Sequence, residues 1–147
     1  MIGVRGYRDR NLLESAVGRP FATAFGKEAY SGLVQKSAAL FHSLISNHPF
    51  LDGNKRTAVV ALDHFLLANG DLIVMPDAEM YAFTMRVASY KSLGVAHGQI
   101  FGEIVTKIRE STVRISSLRK YPKLSALYNE ALAASRSIRS HPLNKRP

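Results

Sequence analysis

Nine consecutive residues, His48-Pro49-Phe50-Leu51-Asp52-Gly53-Asn54-Lys55-Arg56, hold an imidazole, a carboxylate, a glycine–asparagine pair and two adjacent cations. An apolar-rich run, Thr57 to Asn69, follows at once and reads as a helix. The first turn of a helix leaves backbone N–H groups unpaired and carries partial positive charge, which suits phosphate oxygens. Lys55 adds a mobile point charge there and Arg56 a rigid fork that grips phosphate with two hydrogen bonds. Histidine is the side chain whose ordinary titration lies closest to neutrality, so His48 can accept a proton from a hydroxyl nucleophile. Asp52 supplies the hard oxygen that Mg²⁺ prefers when it also binds nucleotide phosphates, and it is equally placed to cap the helix. Gly53 lets the backbone approach an anion or take positive φ, while Asn54 can cap the helix or donate from its amide. Adjacent helix positions diverge by ~100°, so Lys55 and Arg56 serve one phosphate only if the first turn is open. The chemistry indicated is phosphate handling beside a base.

The elements that must position this run are mostly helical. Asp9 or Asn11 can cap a first helix through Leu12, Leu13, Ala16 and Val17, stopped near Gly18-Arg19-Pro20. Phe21 to Lys27 reads as a loop or short extended piece. A second helix spans Ala29 to Ser46, with Leu33, Leu40, Phe41, Leu44 and Ile45 at helical spacing, and Asn47-His48-Pro49 ends it. The third begins near Asn54 and stops at Asn69-Gly70. Asp71 to Met75 is extended, and Pro76-Asp77 starts a fourth helix that carries Met80, Phe83, Met85 and Val87 and runs to Ser92. After Leu93-Gly94 a last helix covers Val95 to Arg109. Phe50 is expected to anchor the loop on the bundle, and Pro49 to stiffen it. His42, His64, His97 and His141 read as structural or merely exposed.

The nine-residue run resembles the signature of the Fic/Doc superfamily, H-x-F-x-[D/E]-[G/A]-N-[G/K]-R, at His48, Phe50, Asp52, Gly53, Asn54 and Arg56. Lys55 stands where AMP-transferring relatives usually carry glycine, and Val59 where they carry a second arginine. Both differences favour the Doc (death-on-curing) branch, as does Gly6 to Ala16, which is similar to the "RD-x-x-LLESA" opening of Doc-like proteins. The resemblance covers about Val4 to Arg109. It implies an all-α Fic/Doc-like helical bundle with the active-site loop preceding a central helix. It also implies His48 as general base, Asp52 at Mg²⁺, and Gly53, Asn54, Lys55 and Arg56 at ATP. A lysine at position 55 implies a reversed nucleotide pose, hence a Ser/Thr kinase that transfers the γ-phosphate rather than AMP. The implied setting is a type II toxin–antitoxin pair in the cytoplasm. The substrate would be elongation factor Tu, with translation arrest as the result, and the partner a cognate antitoxin of Phd type. A Fic-type AMP transferase and an inactive antitoxin-binding remnant are the alternatives.

Composition bounds these readings. At 147 residues with 46% hydrophobic content the chain is one globular domain. It has no cysteine, hence no disulfide, thiolate nucleophile or cysteine metal site. No apolar run approaches the ~18 residues of a membrane span, and no secretory signal is visible. There is no phosphate-binding Gly-x-x-x-x-Gly-Lys-Ser/Thr loop and no protein-kinase signature set, which excludes the ordinary ATP-binding folds. The net charge of +9 belongs to the tail: residues 1–106 hold 10 Lys/Arg against 9 Asp/Glu, and residues 107–147 hold 10 against 2. Nucleic acid is therefore expected only indirectly or through that tail.

The expected organisation is a Fic/Doc-like domain over 1–109 that lacks the family's first helix, and a basic extension over 110–147. Within the extension, Leu118, Leu124, Leu127, Tyr128, Leu132 and Ala133 permit a short amphipathic helix despite seven serines between 111 and 140. His141 to Pro147 reads as disordered. Thr106-Lys107-Ile108-Arg109-Glu110 matches the superfamily's inhibitory pattern except that Ser111 replaces glycine or asparagine. Matches this short arise often by chance, and the segment reads as ordinary helix.

Overall fold

The computed structural model describes the backbone of residues 6–140 and the side chains of residues 6–134. The chain forms two compact units, Met1–Thr112 and Val113–Pro147. The first contains helices α1 (Arg10–Gly18), α2 (Gly32–Asn47), α3 (Asn54–Ala68), α4 (Asp77–Ser89) and α5 (His97–Glu110). It also holds a hairpin of β1 (Thr23–Ala24) and β2 (Lys27–Glu28), and a short strand β3 (Asp71–Ile73).

Helix α2 is the axis of this bundle because every residue from Ser37 to Ile45 is buried, the polar Ser37, His42 and Ser43 included. It packs against α1, α3, α4 and α5. Around it lie Ala58, Leu62 and Leu66 of α3, spaced four apart on one face, with Ile100, Ile104 and Ile108 of α5 spaced likewise. Phe83 of α4 stacks on Phe41 of α2 at 5.1 Å between centroids. The mostly helical architecture is the one expected, and the loop 48–53 leads into α3.

The helix ends follow local chemistry. Asp9 caps α1, its Oδ1 accepting the N–H groups of Asn11 (2.8 Å) and Leu12 (3.3 Å). Helix α2 starts at Gly32 rather than Ala29. The Ala29 N–H is spent on the Ala22 carbonyl at the hairpin base (2.9 Å), and Gly32 sits at φ +74°. Helix α4 stops at Ser89, short of Ser92, in a left-handed turn where Gly94 (φ +69°) lets the Val95 N–H reach the Tyr90 carbonyl at 2.9 Å. Helix α5 accordingly starts at His97 rather than Val95.

Phe21 to Lys27, expected as loop or extended chain, forms a 3-10 turn and the hairpin. Phe25 and Gly26 at its tip both have positive φ, the geometry of a tight two-residue hairpin turn. Lys36 of α2 fastens the hairpin through the Pro20 carbonyl (3.3 Å) and Glu28 (3.2 Å). Helices α4 and α5 are tied by the fork of Arg86 on Glu103 (2.9 and 3.0 Å) and by Lys107 with Glu79.

Beyond α5 come a short strand β4 (Thr112–Arg114), a 3-10 stretch (Ile115–Lys120) and helix α6 (Pro122–Ser140). The helix allowed by the tail's apolar spacing is thus present, with Pro122 in the first turn, where a missing N–H costs nothing. The expectation of disorder from His141 to Pro147 lies outside the described residues. Among the described residues no helix is long and apolar enough to cross a membrane.

Candidate functional site

The loop between α2 and α3 is held by the strand of residues just before α1. His48 ends α2 in the left-handed conformation (φ +47°), an uncommon one for a residue with a Cβ, and buried Pro49 prevents the helix from continuing. Arg8 stabilises this end: its Nε donates to the His48 carbonyl and its Nη2 to the Asn47 carbonyl, both at 2.7 Å. A cation there meets the carbonyls a helix leaves unpaired at its C-terminus. The Pro49 carbonyl accepts the N–H groups of Arg8 (2.8 Å) and Asp9 (3.2 Å), and the Leu51 N–H reaches the Gly6 carbonyl at 3.3 Å. The Tyr7 and Phe50 rings stack at 5.9 Å, so Phe50 does anchor the loop, though on Tyr7. Gly6 to Asp9 therefore straps the loop in place. Sequence reasoning found Asp9 as a cap and missed Arg8, because nothing local marks an arginine whose acceptors lie about forty residues away.

The second half of the loop is self-contained. Asn54 pairs its amide with the Phe50 peptide, Oδ1 accepting the N–H and Nδ2 donating to the carbonyl, both at 2.9 Å. Asp52 Oδ1 accepts the Gly53 N–H at 2.7 Å. Gly53 has φ +77°, and a Cβ built on it would meet nothing within 4 Å. Glycine is thus required there by backbone conformation, and the space in front of it is open. No side chain caps α3. Asp52 does not cap α3, and the first N–H groups of the helix are left to solvent or a ligand.

These residues line a pocket of about 560 Å³. His48, Leu51, Asp52, Gly53, Asn54, Lys55, Arg56, Val59 and Val60 form one wall, and Asp77, Met80, Tyr81, Thr84 and Met85 of α4 the other. All the expected site residues meet here. His48, Asp52, Lys55 and Arg56 are exposed, and among the described residues neither cation is ion-paired. Lys55 and Arg56 both line the pocket, although the first turn of α3 is closed by the Thr57 N–H on the Gly53 carbonyl at 2.8 Å. Asn54 lines it too, but its amide is occupied in shaping the loop.

The α4 wall is what sequence reasoning missed. Met80 and Met85 are expected on the fourth helix with no site role; Met80 packs against the core, and both line the pocket. The signal was present, since positions 77, 80, 81, 84 and 85 form one helical stripe. Its mixture of acid, hydroxyl, ring and thioether disguised it as surface.

Among the described residues no group of three or more His, Asp or Glu gathers as a metal site. The donor set fits Mg²⁺ held with a nucleotide, which needs only one or two carboxylates because phosphates supply the other oxygens. Asp52 is the carboxylate of the motif wall.

The other histidines lie elsewhere. Arg19 gathers His42 and His97: its Nη1 meets His42 Nδ1 and Ser43 Oγ at 2.8 Å, its Nη2 meets His97 Nε2 at 3.2 Å, and its Nε donates to the Tyr30 hydroxyl at 2.8 Å. His64 is exposed on α3, with Nδ1 2.9 Å from the Val60 carbonyl. His141 lies outside the described residues.

Residues 2–66 match the model of the Fic/DOC family. Over 63 residues the chain is 54% identical to "Toxin Doc" of Mycolicibacterium smegmatis. That alignment takes in 43% of this chain and 48% of the relative, so the chain spans about half the length of the protein it matches. The family-model match contains the site loop and most of α3, whereas the α4 wall lies outside it. No solved structure gives a significant match.

Proposed function

We propose that this chain, a Fic/Doc family member of the Doc type, is the toxin of a type II toxin–antitoxin pair and acts as a protein kinase. The observation that carries the reading is the pocket's charge. An exposed imidazole shares it with two cations that form no ion pair among the described residues. Cations so placed await an anion, and a helix N-terminus without a side-chain cap adds donors for the same charge. Lys55 lines the pocket where glycine is usual in AMP-transferring relatives, and Val59 offers no charge where they carry a second arginine. Both favour transfer of the terminal phosphoryl group.

In this reading His48 takes the proton of an attacking hydroxyl while its oxygen bonds to the γ-phosphorus. The bond from that phosphorus to the β–γ bridging oxygen breaks, and ADP leaves with the electron pair. Lys55 and Arg56 neutralise the charge that accumulates, and Gly53 leaves the phosphates room to approach. Mg²⁺ held with Asp52 would neutralise further phosphate charge. Such catalysis is chiefly positioning and electrostatics. Family resemblance supplies elongation factor Tu as substrate, a Phd-like antitoxin as partner and the cytoplasm as setting.

The test is incubation of the purified chain with Mg²⁺ and elongation factor Tu in parallel γ-labelled and α-labelled ATP, beside His48→Ala. Label from γ-ATP alone, lost in the variant, is the expected result. Label from α-ATP would make the chain an AMP transferase. No label from a folded sample would leave a binding remnant.

A further inference from the structure

We propose that Arg8 is the positioning residue of this site, holding the backbone from which the His48 ring projects. This rests on the reading above, in which His48 is the general base. A base must lie within hydrogen-bond reach of the hydroxyl it deprotonates, and a third group commonly orients its ring. His48 has no such partner: among the described residues neither ring nitrogen forms a hydrogen bond. The direction of the imidazole is therefore set by the main chain that carries it.

That main chain is in an uncommon state. His48 has φ 47° and ψ 56°, a left-handed conformation that a residue with a Cβ keeps only where its surroundings impose it. The Arg8 guanidinium donates from Nε to the His48 carbonyl and from Nη2 to the Asn47 carbonyl, each at 2.7 Å. The Asn47 carbonyl lies in the peptide plane before the His48 Cα, and the His48 carbonyl in the plane after it. The angle between those planes is φ and ψ of His48, so one rigid fork on both carbonyls fixes that pair directly. The rest of the neighbourhood does not need the guanidinium. Asn47 Nδ2 ties α2 to the Leu12 carbonyl at 3.1 Å, and the Pro49 carbonyl is held by main-chain N–H groups. The phosphate side of the loop closes on itself through Asn54 and the Phe50 peptide. Loss of the Arg8 side chain should thus spare the fold and the cations, and free the His48 backbone.

The test is the kinetics of γ-phosphate transfer from ATP to elongation factor Tu by the full chain with Mg²⁺, with backbone amide exchange followed in the same proteins. Arg8→Ala should lower kcat by roughly ten- to a hundredfold, the cost of misplacing a reacting group by about 1 Å. KM for ATP and the melting temperature should stay near the parent's. Guanidinium ion, added well below denaturing concentration, should restore part of that kcat and leave the parent unchanged. Arg8→Lys, a single mobile point of charge, should fall between the parent and Arg8→Ala. A parental kcat in Arg8→Ala would overturn the inference. So would a fall in kcat that follows lost ATP affinity or lost fold and does not respond to guanidinium. A folded parent chain that transfers nothing would remove the kinase reading alone. In that case the Leu51 N–H, bonded to the Gly6 carbonyl, should still exchange faster in Arg8→Ala than in the parent, and equal exchange would overturn this inference too.

Discussion

The pocket at the head of α3 and the cluster around Arg19 draw on the same side chains, arginine and histidine, under opposite conditions. Arg19 is half-buried, meets Tyr30 Oη, His42 Nδ1, Ser43 Oγ and His97 Nε2, and lies 5.5 and 5.9 Å from the centroids of the Tyr30 and Phe101 rings. His42, 3% exposed, contacts Arg19 through Nδ1 and Ser46 Oγ through Nε2. Burial first, then the charges of Arg19, His97 and Lys91, hold its pKa down to about 4. At neutral pH this ring is an uncharged acceptor in a closed network. It joins the turn before the hairpin to α2 and α5.

At the pocket, Arg56 and His48 are exposed and their side chains are committed to no ion pair or ring contact among the described residues. A third arginine, Arg8, makes the contrast sharper. It lies close to the functional loop in space, yet its guanidinium is occupied with helix-end carbonyls. Residue type therefore does not separate structural from functional groups. Whether the polar atoms are already satisfied does, because a satisfied donor must break a bond to serve a ligand.

Substitutions should divide along that line. The largest effect is expected from His48→Ala: phosphoryl transfer falls by about 10²–10⁴, the usual worth of a general base, with an unchanged melting curve. Arg56→Ala should follow, with a loss of about 10²–10³ in rate for one removed charge-stabilising group and again no change in stability. Arg19→Ala reverses the pattern. It leaves His42, Ser43 and Tyr30 without their partner and should cost about 3 kcal/mol in urea unfolding, at about 1–3 kcal/mol per orphaned buried group. A stable Arg19→Ala with lost transfer would break the comparison outright.

Acid sharpens it. The folded pKa of His42 lies below its ordinary 6.5, so the unfolded chain binds a proton that the folded chain refuses. Its contribution to stability is whole above about pH 6.5 and is lost as pH falls towards 4, by up to about 3 kcal/mol. The urea midpoint followed against pH should show that slope in the parent and a flatter one in His42→Gln. The smallest effect belongs to Asp9→Ala, which removes the α1 cap at a cost of about 1 kcal/mol. A disproportionate loss of transfer in that variant would show that the strap governs the loop.

The amino-acid sequence alone determined the parts of this protein that depend on near neighbours. The Asp9 cap, the stop at His48-Pro49, the αL glycine at 53 and the start of α3 all rest on interactions within four residues, and each was legible. The nine-residue run gathers its chemistry into one loop for the same reason. Tertiary structure decided what joins that loop. The strap from Arg8 spans forty residues and the Arg19–His97 contact seventy-eight, distances at which periodicity carries no information. The α4 wall entered the pocket because Phe83 and Val87 had to be buried, and burying one face of a helix fixes what its other faces confront.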